Sequence, residues 1–286
     1  MDEATQLVDR LLVQAQALSA VVAHLRLLSS DVPGDPAVNA ELQRVIDALG
    51  AKSALDSLSP GERNVLANLA QSYLAQAIDL ATDPTRPGEW TLSDPEILQS
   101  QGTASGGVAT LIAEAGIGAP GIRILDVGTG VGGLAIAFCE MYPGSTVVGV
   151  DPWEPALSLA RENIAEAGLE ERVTLIAGRL EDFVDAEGFD LIWVPSFFIS
   201  EVVLNQALLR VYQATRPGGK VVMGIMGGSE KPLAEAVDRL FTVRSGGSNM
   251  SVDEGMAGLR RSGFDDVAEI QKTWQIPLRL VLASRT

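Results

Sequence analysis

Cysteine and histidine are almost missing from this chain: each occurs once, as Cys139 and His24. A single cysteine excludes an intramolecular disulfide and fits a reducing compartment. Cys139 sits on an apolar helical pattern and reads as inert core. His24 falls inside the first helical pattern and reads as a partly buried helix residue, which leaves the chain without a histidine base. No metal cofactor is expected. Positive charge is also scarce, with 21 Lys and Arg against 37 Asp and Glu and a net charge of −16. Such a surface repels phosphate backbones and anionic headgroups, so neither a nucleic acid nor a membrane is an expected partner. No apolar run approaches ~18 residues without polar interruption, which argues against a membrane span. The first residues, Met-Asp-Glu-Ala, are acidic where a secretion signal is basic, and a cytoplasmic protein is expected.

Glycine, by contrast, is present in quantity and at telling positions. The stretch Ile122-Arg-Ile-Leu-Asp126-Val-Gly128-Thr-Gly130-Val-Gly132-Gly133 passes from an apolar run through alternating glycines into the helical pattern Leu134–Cys139. This is the pattern of a buried strand, a tight turn and a helix whose amino end faces a ligand. Glycine there permits unusual dihedrals and brings bare backbone N–H groups up to that ligand. Gly128-x-Gly130-x-x-Gly133, with Asp151 beyond it, also fits a dinucleotide fingerprint. Asp126 weighs against that reading, because a carboxylate beside the turn repels a pyrophosphate and favours a ligand carrying an ammonium group.

With Asp126 in place, Asp126-Val-Gly128-Thr-Gly130-Val-Gly132 resembles the first motif of class I S-adenosylmethionine-dependent methyltransferases. The likeness continues in order. Thr146–Val150 ends in Asp151, which in that family bonds both ribose hydroxyls, and Pro152 and Trp153 stand where an apolar or aromatic residue lies against adenine. Val173–Ala177 leads to Gly178-Arg179-Leu180-Glu181-Asp182, where Arg179 replaces a common Asp and leaves Glu181 or Asp182 as the alternative adenine partner. Phe189–Val194 and Arg216-Pro-Gly-Gly-Lys220-Val-Val-Met-Gly-Ile225 match the fourth and fifth strands. The resemblance implies a Rossmann-like α/β fold with a seven-stranded, mostly parallel sheet of order 3-2-1-4-5-7-6 and strand 7 antiparallel. It implies S-adenosylmethionine as cofactor, S-adenosylhomocysteine as product, and Asp126, Gly128, Thr129, Gly130, Gly132, Asp151, Pro152, Trp153, Arg179, Leu180, Glu181 and Pro195 as the cofactor residues.

Ahead of this region the chain reads as all-helical. Leu7, Leu11, Leu18, Val21, Leu25 and Leu28 define a first helix, Ala37–Leu49 a second, and the capping box Ser59-Pro-Gly-Glu62 opens a third. Ser93-Asp-Pro-Glu96 caps a fourth. Two domains are expected: residues 1–100 as a helical cap, and residues 101–286 as the cofactor-binding domain. In similar small-molecule methyltransferases such helices cover the cleft and pair two subunits, so a homodimer is implied. Trp90 and Gln101, at the junction, are candidate substrate residues.

After the fourth strand stands Pro195-Ser-Phe-Phe198-Ile-Ser200, where many natural-product O-methyltransferases place a histidine. Val194 offers no acceptor for an amino group, which disfavours the amino-directed nucleic-acid enzymes. Phe197 and Phe198 are candidate walls of a substrate pocket, and Glu201 is the nearest acid able to serve as base. Met226–Ser229 and Arg244–Asn249 read as mobile glycine-rich segments, and Ser251-Val-Asp-Glu254 caps a last helix. Phe264–Ile270 and Ile276–Ala283 read as strands six and seven. The expected activity is methyl transfer to an O, N or C nucleophile of a small molecule, a natural product or secondary metabolite, without a histidine base. The alternatives are a protein that binds the same cofactor without methyl transfer, and an NAD(P)-dependent oxidoreductase.

Overall fold

The computed structural model describes residues 2–30, 33–274 and 276–286. The chain divides into two compact units, residues 1–84 and 85–286, so that the helix capped near residue 94 belongs to the second.

The first unit is helical: α1 (Glu3–Leu28), α2 (Pro36–Ala48), α3 (Lys52–Asp56) and α4 (Pro60–Thr82). Local chemistry sets its helix starts. Asp2 accepts from the Thr5 N–H, Asp35 accepts from Ala37 and Val38, and Ser59 and Glu62 form the expected capping box. Arg26 ties α1 to α4 through Asn64, Asn68 and Gln71. Leu25, Ile46 and Ala67 are the buried apolar side chains of this unit. His24 is buried, with Nε2 3.5 Å from Asp56 Oδ1. Leu7, Val8, Leu11, Leu12 and Val13 of α1 are each about half exposed. Among the described residues α1 is the one helix long and apolar enough to cross a membrane by length and composition.

The second unit runs α5 (Pro95–Glu114), β1 (Arg123–Val127), α6 (Gly133–Met141), β2 (Thr146–Asp151), α7 (Glu154–Glu166), β3 (Val173–Ala177), β4 (Phe189–Pro195), α8 (Glu201–Ala214), β5 (Thr215–Met226), α9 (Pro232–Arg244), α10 (Val252–Arg261), β6 (Asp265–Glu269) and β7 (Leu278–Ser284). The sheet order is β3-β2-β1-β4-β5-β7-β6, with β7 antiparallel to both neighbours. Strands β1, β2 and β4 are apolar nearly throughout because both sheet faces are covered. One face packs Phe189, Ile192, Leu204, Leu208 and Met223, and the other packs Ile124, Phe138, Leu191, Ile112 and Leu280. Strand order reverses between β1 and β4, which opens a crevice at their carboxyl ends, the usual ligand position in such sheets.

Two glycines decide how α5 lies. A Cβ on Gly133 would stand 2.2 Å from the Gly102 carbonyl oxygen, and one on Gly102 would stand 2.1 Å from Val131 Cγ2. Their absence lets α5 pass directly over the start of α6. An amide pair reinforces it: Gln99 and Asn163 exchange hydrogen bonds at 2.9 Å, and Asn163 also donates to the Val131 carbonyl.

Several expectations change here. The α5 cap is Asp94, one residue beyond Ser93, because its carboxylate reaches the Glu96 and Ile97 N–H groups. Strand β5 starts at Thr215, with residues 216–219 forming an irregularity between its pairings with Phe189 and Leu191. The segment Arg244–Asn249 is packed rather than loose. Arg244, Ser245 and Ser248 are buried, the Gly247 N–H donates to Thr242, and the Ser248 N–H donates to Ser196. Met226–Ser229 is likewise held, since Glu235 accepts from the Gly228 and Ser229 N–H groups. Helices α3, α8 and α9 were not anticipated.

Candidate active site

The turn after β1 has the conformation its glycines permit. Gly128, Gly130 and Gly132 have φ of +67°, +56° and +81°. Asp151, ending β2, braces it: one carboxylate oxygen accepts from the Gly130 N–H at 2.9 Å and the other from Trp153 at 2.8 Å. Burial pushes the Asp151 carboxyl up, and those two N–H groups oppose the shift. Asp126 is 1 % exposed and accepts a hydrogen bond from Thr129 Oγ1 at 2.7 Å. Its carboxyl is pushed up to about 7, first by burial, with the Thr129 hydroxyl opposing and the charge of Asp151 adding to the rise.

This turn forms one side of a cavity of about 710 Å³, inside the ~300–1,000 Å³ range of small-ligand sites. All its lining residues belong to the second unit. Twelve of the residues singled out in the sequence line it: Gly128, Thr129, Gly130, Asp151, Pro152, Trp153, Arg179, Leu180, Glu181, Trp90, Gln101 and Phe198. A Cβ on Gly130 would meet no atom within 4 Å, so the turn leaves open space at its surface. Trp153 is fixed by its Nε1–H, which donates to the Leu92 carbonyl at 2.9 Å. Arg179 and Glu181 form an ion pair at 3.6 Å.

Five other singled-out residues do not line the cavity. Asp126 is hydrogen-bonded to Thr129, which is on the lining while Asp126 is not. Gly132 faces backward, toward Ala160 and Ile164 of α7. Pro195 closes β4 with its ring against Gly128. Phe197 supports Phe198 from behind, with ring centroids 4.8 Å apart. Glu201 opens α8 and faces a separate groove shared with Asn205, Asp253, Glu254 and Arg261. Asp182, the alternative to Glu181, is exposed and off the lining.

Sequence reading missed part of the lining, made of Gly88, Glu89 and Thr91 from one segment and Ser245 and Gly246 from another. The segments meet where side chains are absent. A Cβ on Gly88 would lie 2.4 Å from the Val243 carbonyl oxygen, one on Gly246 3.1 Å from Glu89 Cα, and one on Gly247 1.9 Å from the Phe197 carbonyl oxygen. Only the glycines themselves hinted at this, and nothing in their local sequence names a partner so distant.

Residues 124–219 match a family profile described as a methyltransferase domain. This stretch resembles the cofactor-binding half of class I S-adenosylmethionine-dependent methyltransferases, and the sheet order is that of their fold. A demethylmenaquinone methyltransferase of Thermus thermophilus is 36% identical over 101 residues, 35% of this chain and 46% of that protein. Methyltransferase GfsG of Streptomyces halstedii is 28% identical over 207 residues, covering 68% of this chain and 71% of its own. The chain spans about half the length of curated relatives such as the first. The pyocyanin biosynthetic protein PhzM superposes with a TM-score of 0.67 over 99% of both chains at 19% identity, a likeness of fold. The methyltransferase domain therefore carries the glycine turn, Asp151 and the crevice at the β1/β4 reversal in the places its fold requires.

Proposed function

We propose that this protein transfers a methyl group from S-adenosylmethionine to a small-molecule acceptor. The observation that carries the reading is the cavity itself, whose lining brings together the glycine turn, Asp151, Trp90 and Phe198. The turn offers N–H groups without Cβ atoms, and Asp151 offers a buried carboxylate with lone pairs left for two hydroxyls. Pro152, Trp153, Leu180 and Glu181 supply an apolar edge and an acceptor for an adenine ring. When bound, S-adenosylmethionine supplies a methyl group on a positively charged sulfur.

The chain's own part is to hold an acceptor in line with that methyl in a site from which water is excluded, the main source of acceleration in such a displacement. Histidine takes no part in this account, since His24 belongs to the first unit and the lining is free of histidine. The acceptor atom is an oxygen, nitrogen or carbon nucleophile, with natural-product chemistry as the first place to look. Support for that comes from the PhzM-like fold and the aromatic end of the cavity. Among the described residues no group of three or more His, Cys, Asp or Glu stands together to hold a metal.

Calorimetric titration with S-adenosylhomocysteine and with NADH tests the cofactor. Saturable binding of the first supports the reading, and binding of NADH alone overturns it. Incubation with labelled S-adenosylmethionine and a library of phenols, amines and polyketide-like aromatics then tests transfer. We also propose a homodimer through the outer face of α1, supported by its half-exposed Leu7, Leu11 and Leu12. Sedimentation equilibrium should show a dimer that Leu11→Glu dissociates, and a monomeric native protein would end this proposal.

A further inference from the structure

The segment between α4 and α5 has no regular structure, yet Gly88, Glu89, Trp90 and Thr91 within it line the cavity. Such a segment is held only by its contacts with other elements. Two side chains take its carbonyls. Arg244, ending α9, donates to the Arg86 carbonyl at 3.0 Å, and Trp153 donates its indole N–H to the Leu92 carbonyl at 2.9 Å. Arg86 folds back on the segment itself, onto the Glu89 carbonyl and Thr91 Oγ1.

Trp153 is the more telling of the two anchors, because it lines the cavity as well. Its backbone is set from both sides. The N–H donates to Asp151 Oδ1 at 2.8 Å, and the carbonyl accepts from Ala156 and Leu157 in the first turn of α7. Its ring packs, as that of Trp90 does, on the small cluster Leu98, Val131 and Ala156. Trp90 in turn meets Phe198 edge to face, with centroids 5.2 Å apart. A line of contacts therefore runs from Asp151 through Trp153 to Leu92 and Trp90, and on to Phe198. The link at Leu92 is one hydrogen bond from a partly buried ring, which is made and broken readily. An adenine ring laid against Trp153 restricts the indole and keeps that bond made.

Resting on the methyltransferase reading, we propose that Trp153 is a positioning residue: a nucleoside bound against it fixes the indole, the indole holds the Leu92 carbonyl, and residues 88–91 are set as cavity wall before the acceptor binds. Cofactor and acceptor then bind with positive cooperativity, because the first ligand has already ordered what the second must contact.

Amide hydrogen exchange on the full chain tests this, read on peptides covering residues 86–92 with and without saturating S-adenosylhomocysteine. In the native protein the ligand should slow exchange there about tenfold, the scale of one hydrogen bond made persistent. Trp153→Phe keeps a ring for the cofactor and removes the donor, so it should still bind S-adenosylhomocysteine and protect the Gly128–Gly130 turn while losing the slowing at 86–92. Trp274→Phe removes an indole donor to the Leu278 carbonyl, off the cavity lining, and should keep it. Exchange at 86–92 that ignores the ligand while the turn responds, or a response that survives Trp153→Phe, would overturn the proposal and leave the cofactor reading intact. Loss of binding by Trp153→Phe would overturn it too, since the contact with the cofactor would then be the residue's whole role. Failure of the native protein to bind S-adenosylhomocysteine would end both.

Discussion

Thr129 donates its hydroxyl to Asp126 Oδ2 at 2.7 Å and forms part of the cavity wall that covers this buried acid. The pair changes how the acid at the end of β1 acts. Asp126 is buried and linked to the cavity wall through one hydroxyl, and its burial makes its charge costly. Thr129 is itself clamped, since a Cβ on Gly149 would stand 2.7 Å from its Oγ1.

The pH dependence of stability follows from this pair. The native Asp126 carboxyl titrates near 7 against a reference of 3.8, so the folded chain holds this proton more tightly than the unfolded chain does. Its contribution is fully present below about pH 4 and declines as the pH rises toward 7. Asp126→Asn keeps an acceptor for Thr129 and removes the titration. It should be more stable than the native protein at pH 8, by at most about 4 kcal/mol, and equal to it near pH 4. Thermal melts across that range measure it, and a variant less stable at pH 8 would show that the charge is compensated.

Asp151 is tested through cofactor affinity. Asp151→Ala removes a carboxylate placed to accept from two ribose hydroxyls and also frees the Gly130 and Trp153 N–H groups. S-adenosylhomocysteine binding should weaken by about 2–3 kcal/mol with the fold retained by circular dichroism. Unchanged affinity would place the ribose elsewhere.

Gly133 is a packing test. Gly133→Ala puts a methyl group 2.2 Å from the Gly102 carbonyl oxygen, so α5 has to lift from α6. The cost should be about 1–3 kcal/mol in chemical denaturation, and Gly107→Ala, whose Cβ meets nothing within 4 Å, should cost far less.

Glu201 separates the two grooves. Because it faces Asn205, Asp253 and Glu254 rather than the cavity, Glu201→Gln should leave S-adenosylhomocysteine affinity and the transfer rate to any accepted substrate within about twofold. A large drop in rate alone would restore it as a base.

Much of the fold was legible because its signals are local. Alternation of apolar strands with helical patterns, the capping boxes at Ser59 and Ser251 and the glycine turn each declare themselves within a dozen residues. That Gly128, Asp151, Trp153 and Glu181 share one cavity was legible for the same reason, since they follow one another along successive strand ends. That Thr129 covers Asp126 was not legible, because sequence gives a residue's place in a strand but not which neighbour lies over it. The segment Arg244–Asn249 was misread because glycine marks looseness and close approach equally well. Glu89 was overlooked for a related reason, since its neighbours in space lie at the other end of the domain.

That last separation bears on how the site comes into being. Contacts framing the glycine turn join strands that are close in sequence, whereas Arg244 reaches the Arg86 carbonyl across 158 residues. Closing so long a loop carries a larger entropic cost and comes late in folding. On the ribosome, the part of the lining built on β1 and β2 has its partners early, and Ser245 and Gly246 join it only after α9 has emerged. The lining is thus assembled from parts of the chain far apart in sequence, and a change in one part leaves the local contacts of the other in place.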